Sequence, residues 1–85
     1  MRALITGAGS GIGREMAIYL DSISYELILV DKDGSSLEKL KSDLKNEHKF
    51  IVTDLSDLKK VKDLYIITRK DNIDMLINNA GFGHY

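Results

Sequence analysis

The sequence predicts an α/β unit in which helices cover both faces of a doubly wound parallel sheet. Three observations lead there. Four short runs, Ala3-Leu4-Ile5, Leu27-Ile28-Leu29-Val30, Phe50-Ile51-Val52 and Met75-Leu76-Ile77, are continuously apolar where a half-exposed strand would alternate. The segments between them carry apolar residues at helical spacing. A cluster of glycines at every second position, Gly7, Gly9, Gly11 and Gly13, follows the first run directly. Such a cluster suits a strand that turns sharply into a helix.

Taken in order, the first run leads through Thr6 and the glycines into a helix from about Ile12 to Asp21, with Ile12, Met16 and Leu20 on one stripe. The second run ends in Asp31. The helix after it aligns Leu37, Leu40 and Leu44, and Ser35 followed by Glu38 has the form of a capping box. The third run ends at Asp54-Leu55, and the third helix follows Ser56 as N-cap and aligns Leu58, Val61, Leu64, Tyr65 and Thr68. The fourth run ends in Asn78-Asn79-Ala80-Gly81. Right-handed crossovers place the first two helices on one face, while the third crosses back, which predicts the strand order 3-2-1-4. No linker, repeat or low-complexity stretch divides residues 1–85, so one unit is expected. With one helix on the second face, apolar surface and the edge of the fourth strand stay open, and such a surface is expected to associate.

Composition narrows the functional classes. The 85 residues carry 12 Lys plus Arg against 13 Asp plus Glu, with no Cys and no Pro. A nearly neutral chain of this kind offers no electrostatic basis for a nucleic-acid partner. No apolar run approaches the length of a membrane span, and a strand stands where a signal segment would, so no membrane role and a cytoplasmic setting are expected. His48 and His84 have no partner at metal-ligand spacing. Both read as solvated or structural, and no metal is expected.

The glycine cluster carries the chemistry. Without side chains the backbone can approach an anion, and the helix that follows aims free N–H groups and its dipole at the same place. A dinucleotide pyrophosphate fits there, although on the cluster alone an ordinary glycine-rich turn stays open. The G-x-G-x-x-G fingerprint fails, because its third glycine would fall on Ile12 or Arg14. The nucleoside-triphosphate loop fails too, since the segment ends in Gly13-Arg14-Glu15.

Thr6-Gly7-Ala8-Gly9-Ser10-Gly11-Ile12-Gly13 resembles, residue for residue, the T-G-x-x-x-G-x-G motif of the short-chain dehydrogenase/reductase family. Asn78-Asn79-Ala80-Gly81 reproduces that family's Asn-Asn-Ala-Gly signature. Asp31 lies roughly 20 to 25 residues beyond the first glycine, where a dinucleotide fold puts the acid that grips the ribose hydroxyls. Asp54-Leu55 matches the family's adenine-contacting pair. These signals stand in the family's order.

The resemblance implies a Rossmann-type sheet and hydride transfer between NAD(P) and a small alcohol or carbonyl substrate. It places Gly7, Ser10, Gly11, Ile12 and Gly13 at the phosphates, Asp31 at the ribose, and Asp54 and Leu55 at the adenine. Asn79, Ala80 and Gly81 approach the nicotinamide side, and Asn78 braces the sheet. Asp31 favours NAD, because a carboxylate repels a 2′-phosphate; Lys32 beside it keeps NADP possible. A homo-oligomer is usual in the family. The family's catalytic Tyr-x-x-x-Lys and Ser belong to later segments of a typical member. Tyr19, Tyr25 and Tyr65 are followed four residues on by Ile23, Leu29 and Arg69, so no catalytic residue is assigned. The chain is expected to be the amino-terminal, cofactor-binding part of a longer enzyme, without activity alone. A non-catalytic nucleotide-binding or interaction module is the alternative.

Overall fold

A computed structural model describes residues 1–56 and 58–79, with only the backbone of Leu58, Ile67 and Lys70. Four strands, β1 (Arg2–Thr6), β2 (Glu26–Asp31), β3 (Lys49–Val52) and β4 (Met75–Asn78), alternate with helices α1 (Gly11–Ser22), α2 (Gly34–Asp43) and α3 (Leu58–Thr68). A 3-10 turn, Arg69–Asp71, leads toward β4. The sheet is parallel in the order β3-β2-β1-β4, as the apolar runs predict. Its register sets Thr6 beside Val30 on one side and beside Asn78 on the other, so the carboxyl ends of the strands form one rim.

The central strands explain their unbroken apolar runs. Ala3, Ile5, Leu27 and Leu29 pack with Ala17, Leu20, Leu37 and Leu40 of α1 and α2. Leu4, Ile28 and Val30 face the other way and pack with Leu64 of α3. Each Leu, Ile or Val among them contributes about 1.5–3 kcal/mol relative to an exposed position. The outer strands are covered less: Val52 and Leu76 are 61% and 62% exposed.

Several local expectations need correction. α1 begins at Gly11 and buries Gly13, Ala17, Leu20 and Asp21, whereas Ile12 is exposed and Met16 only half-buried. The stripe opens on Gly13 and Ala17, and a Cβ at Gly13 would already strike the Gly7 carbonyl oxygen. The N-cap of α2 is Asp33, not Ser35: its carboxylate accepts hydrogen bonds from the Ser35 and Ser36 N–H groups. An aspartate directly ahead of the helix wins over the Ser-x-x-Glu pattern because its oxygen already faces the free amides. α3 begins two residues after Ser56, which donates its N–H to Asp54 Oδ1 at 2.9 Å. Leu64 and Thr68 are buried as expected, but Val61 and Tyr65 are exposed, because α3 touches the sheet along a narrower stripe.

At the opposite, amino-terminal rim, Asp21 closes the fold. Its buried carboxylate accepts from the Lys45 N–H at 2.7 Å, the Asn46 N–H at 3.2 Å and Asn46 Nδ2 at 3.1 Å. His48 Nδ1 accepts from the Leu27 N–H at 3.1 Å, which leaves Nε2 to carry the proton toward Asp21 Oδ1 at 2.8 Å. Burial alone would push the Asp21 carboxyl up; the hydrogen bonds from Lys45, His48 and Asn46 outweigh it and hold it at about 2. His48 is structural. No helix among the described residues is long and apolar enough to cross a membrane.

Candidate functional site

The strand order reverses between β1 and β4, and the crevice at the carboxyl rim there is where an open parallel sheet receives a ligand. The glycine turn runs across that rim. Its Ala8 N–H donates to the Val30 carbonyl at 3.0 Å, extending the β1–β2 pairing past the end of β1. Gly7 and Gly11 take positive φ angles of 65° and 57°, which glycine adopts without the cost other residues meet. A Cβ on Gly13 would strike the Gly7 carbonyl oxygen and lie 3.0 Å from Asn79 Nδ2. A Cβ on Gly9 would lie 2.5 Å from Ser36 Cβ and 2.9 Å from Asp31 Oδ2. Around a Cβ on Gly11 there is nothing within 4 Å. The turn is therefore tight against the protein at Gly9 and Gly13 and open at Gly11.

The two helix starts at this rim differ. Ser10 caps α1 with an extended backbone but makes no side-chain capping bond, and no acid stands in the first turn. The free amides of α1 are thus left to a ligand, beside the exposed Ser10, Gly11 and Ile12. The start of α2 is filled by its own chain. Asp33 accepts from the Ser35 and Ser36 N–H groups at 3.0 and 3.3 Å and from their hydroxyls at 2.7 and 2.8 Å. The Ser35 and Ser36 hydrogen bonds hold its carboxyl at about 2.

Asp31, at the end of β2, is half-buried beside the turn. Its Oδ2 accepts the Gly9 N–H at 2.8 Å and its Oδ1 the Asp33 N–H at 3.0 Å, which fixes the carboxylate plane and leaves a lone pair on each oxygen. Asp54 is exposed beyond β3; its bond from the Ser56 N–H, assisted by the Ser56 hydroxyl and by the charge of Lys32, holds its carboxyl below the ordinary range. The Leu55 side chain packs onto the α3-side core, so its backbone is what it can offer a ligand. Asn79 donates its N–H to the Thr6 carbonyl and its Nδ2 to the Gly7 carbonyl, both at 3.2 Å. Asn78 accepts from the Thr6 hydroxyl at 2.8 Å and so braces β4 against β1. Ala80, Gly81 and His84 lie outside the described residues.

The profile of the family described as short chain dehydrogenase matches residues 1–85. The chain belongs to the short-chain dehydrogenase/reductase family. It is 36% identical over 92 residues to a very-long-chain 3-oxoacyl-CoA reductase of Coccidioides immitis, covering 96% of this chain and 26% of that one. A sepiapterin reductase of Chlorobaculum tepidum is 35% identical over 94 residues, with 96% and 38% covered. Among solved structures, the bulky-bulky ketone specific alcohol dehydrogenase from Comamonas testosteroni superimposes with a TM-score of 0.84 at 34% identity, over 96% of this chain and 35% of that one. The chain thus spans between 26% and 38% of the length of these relatives. As a short-chain dehydrogenase/reductase it corresponds to their amino-terminal, sheet-forming part.

Sequence reasoning brought together the turn, Asp31 and Asn79, which the fold places on one rim. It named Thr6 and Gly9 only as members of the motif, and it missed Asp33. An aspartate directly before Gly34-Ser35-Ser36 was the available signal for the last. Among the described residues no group of three His, Cys, Asp or Glu side chains could hold a metal. Tyr65, four residues before Arg69, is 67% exposed on α3 and away from the strand rim.

Proposed function

We propose that this chain forms the dinucleotide-binding part of an oxidoreductase that moves a hydride between NAD and a small alcohol or carbonyl substrate. One observation carries the reading: α1 starts at the sheet's switch point with uncapped amides, no acid in its first turn and an open glycine in front, while α2 is capped by its own carboxylate. The residues present fit the group. The first amides of α1 with Ser10, Gly11 and Ile12 would hold the pyrophosphate, and the fixed Asp31 carboxylate would accept from the two ribose hydroxyls. Asp54 and Leu55 would border the adenine, and Asn79 with Ala80 and Gly81 the nicotinamide side. When bound, the nicotinamide supplies the hydride acceptor or donor. The chain's own share is to bind and orient it.

NAD is favoured over NADP because a 2′-phosphate at Asp31 would set like charges in contact, which costs several kcal/mol. The charge of Lys32 bears on Asp54. A cytoplasmic, homo-oligomeric setting belongs to the same proposal.

Calorimetric titration with NAD tests it. Saturable one-to-one binding is expected, and Ser10→Asp should abolish it by capping α1 with a carboxylate where the pyrophosphate sits. Because that substitution supplies a good N-cap, loss of binding would not come from loss of fold. A Ser10→Asp chain that binds NAD as well as the unchanged one would sink the reading.

A further inference from the structure

We propose that His48 is a pH-sensitive latch on the edge strand β3: its neutral ring bridges the start of β2 to Asp21 of α1, and a second proton on that ring releases β2 while Asp21 keeps hold. The latch lies at the rim opposite the glycine turn and is independent of what that turn binds.

Successive amides of a strand point to opposite neighbours. The Glu26 N–H turns toward β1 and donates to the Met1 carbonyl at 2.9 Å, so the Leu27 N–H turns toward β3. There the pairing of β3 with β2 begins only at Lys49, opposite Ile28. The His48 ring fills the missing place. Its Nδ1 accepts the Leu27 N–H at 3.1 Å, and its Nε2 lies 2.8 Å from Asp21 Oδ1. The two side chains are only 2% and 3% exposed. A ring can make both bonds only when it is neutral and carries its proton on Nε2.

A second proton breaks this bridge at one end. Imidazolium is a donor at both nitrogens, so at Nδ1 a donor would face the Leu27 N–H. At Nε2 the bond to Asp21 becomes an ion pair and strengthens. Asp21 stays an anion meanwhile: burial pushes its carboxyl up, but the hydrogen bonds from Lys45, His48 and Asn46 hold it at about 2. The ring therefore follows Asp21, and the buried Leu27 amide, left without an acceptor, admits water. That loosens the start of β3, whose pairing with β2 spans only Lys49–Val52.

The other charges around the ring are balanced among themselves. Among the described residues, the groove beside it is lined by Arg2 of β1, Glu26 of β2, Glu47, Lys49 of β3 and Asp71 of the 3-10 turn. Arg2 pairs with Glu26 at 2.6 Å and holds that carboxyl below its ordinary range, and Lys49 pairs with Asp71 at 3.5 Å. Lys45 meets Asp21 through its backbone N–H. Asp21 is the acid bonded to the ring.

The test follows the 85-residue chain and its His48→Gln variant by NMR from about pH 8 to about pH 4.5, the span in which histidines commonly titrate. Ring 15N shifts report the tautomer and the second proton of His48. Amide exchange, corrected for its intrinsic pH dependence, reports Leu27, Lys45 and Asn46. The neutral ring is expected as the Nε2–H tautomer. As it takes the second proton, protection of Leu27 should fall about tenfold or more, while Lys45 and Asn46, held by Asp21, keep theirs. Glutamine offers an acceptor and a donor without titrating, and it leaves Glu47 in place, so His48→Gln should keep Leu27 protected across the range. If that variant fails to fold, the contrast between Leu27 and the Lys45 and Asn46 amides in the unchanged chain carries the test. An Nδ1–H tautomer, a ring still neutral at the acid end, or Leu27 protection that stays constant through the ring's titration would overturn the latch. So would Leu27, Lys45 and Asn46 losing protection together, or the same loss at Leu27 in His48→Gln.

Discussion

The Asp31 carboxylate accepts the Gly9 backbone N–H at 2.8 Å, and this bond joins the end of β2 to the middle of the glycine turn. It requires a residue without a side chain at position 9. Gly9→Ala would push a methyl group to 2.5 Å from Ser36 Cβ and 2.9 Å from the carboxylate it should receive. Ser36 Cβ cannot rotate away, and the Asp31 carboxylate is held by the Gly9 and Asp33 N–H groups. The substitution is expected to cost about 1–3 kcal/mol in chemical denaturation. It should weaken NAD binding about tenfold or more, since a loss of about 1.4 kcal/mol in ligand binding is tenfold. Unchanged stability would show that α2 can move off the turn.

Gly13 and Gly11 should respond differently to the same change. A Cβ at Gly13 meets the Gly7 backbone carbonyl, which cannot rotate away, so Gly13→Ala is expected to destabilise by about 1–3 kcal/mol and loosen the α1–β1 contact. A Cβ at Gly11 meets open space, and only its positive φ penalises alanine, by roughly 1–2 kcal/mol. Gly11→Ala should therefore fold, and its loss should appear mainly in NAD titrations. Urea denaturation of both variants checks the order.

Asp21 makes stability depend on acid. Its carboxyl titrates near 3.8 as a free group and at about 2 when folded. A depressed folded value means that the stabilisation is fully present above the unfolded value and is lost as pH falls through the folded one. The amount is roughly 2 kcal/mol, at about 1.4 kcal/mol per pKa unit. Asp21→Asn should lower stability at neutral pH, and its deficit should shrink as pH falls from about 5 to about 2. Denaturation curves of both proteins across that range give the answer, and a pH-independent deficit would remove Asp21 from the acid response.

Asp31→Ala should weaken NAD more than NADP, because it removes an acceptor for the ribose hydroxyls and a repulsion against the 2′-phosphate together. A shift of about tenfold in the affinity ratio is expected. An unchanged ratio in paired calorimetric titrations would end the ribose assignment of Asp31.

Much of this architecture was legible along the chain because it follows from local pattern. Unbroken apolar runs such as Leu27-Ile28-Leu29-Val30 mark strands buried on both faces, and the handedness of crossovers converts their succession into the order 3-2-1-4. The turn, Asp31 and Asn79 could be placed on one rim because each follows directly on a strand whose end the sheet aligns. The inward stripes of α1 and α3 were less legible. Ile12 and Tyr65 have the periodicity of core residues, yet both are exposed, because the closeness of a helix to the sheet depends on its neighbours.

By itself, then, the sequence determined the fold class, the strand order and the position of the glycine turn, since these rest on periodicity, chain handedness and residues adjacent in the chain. Tertiary structure alone decided which groups meet across distance. It closed Gly9 against Ser36 and Asp31, and buried His48 on Asp21. Each of these joins residues from different elements. Such choices are settled by packing geometry, which no residue spacing encodes.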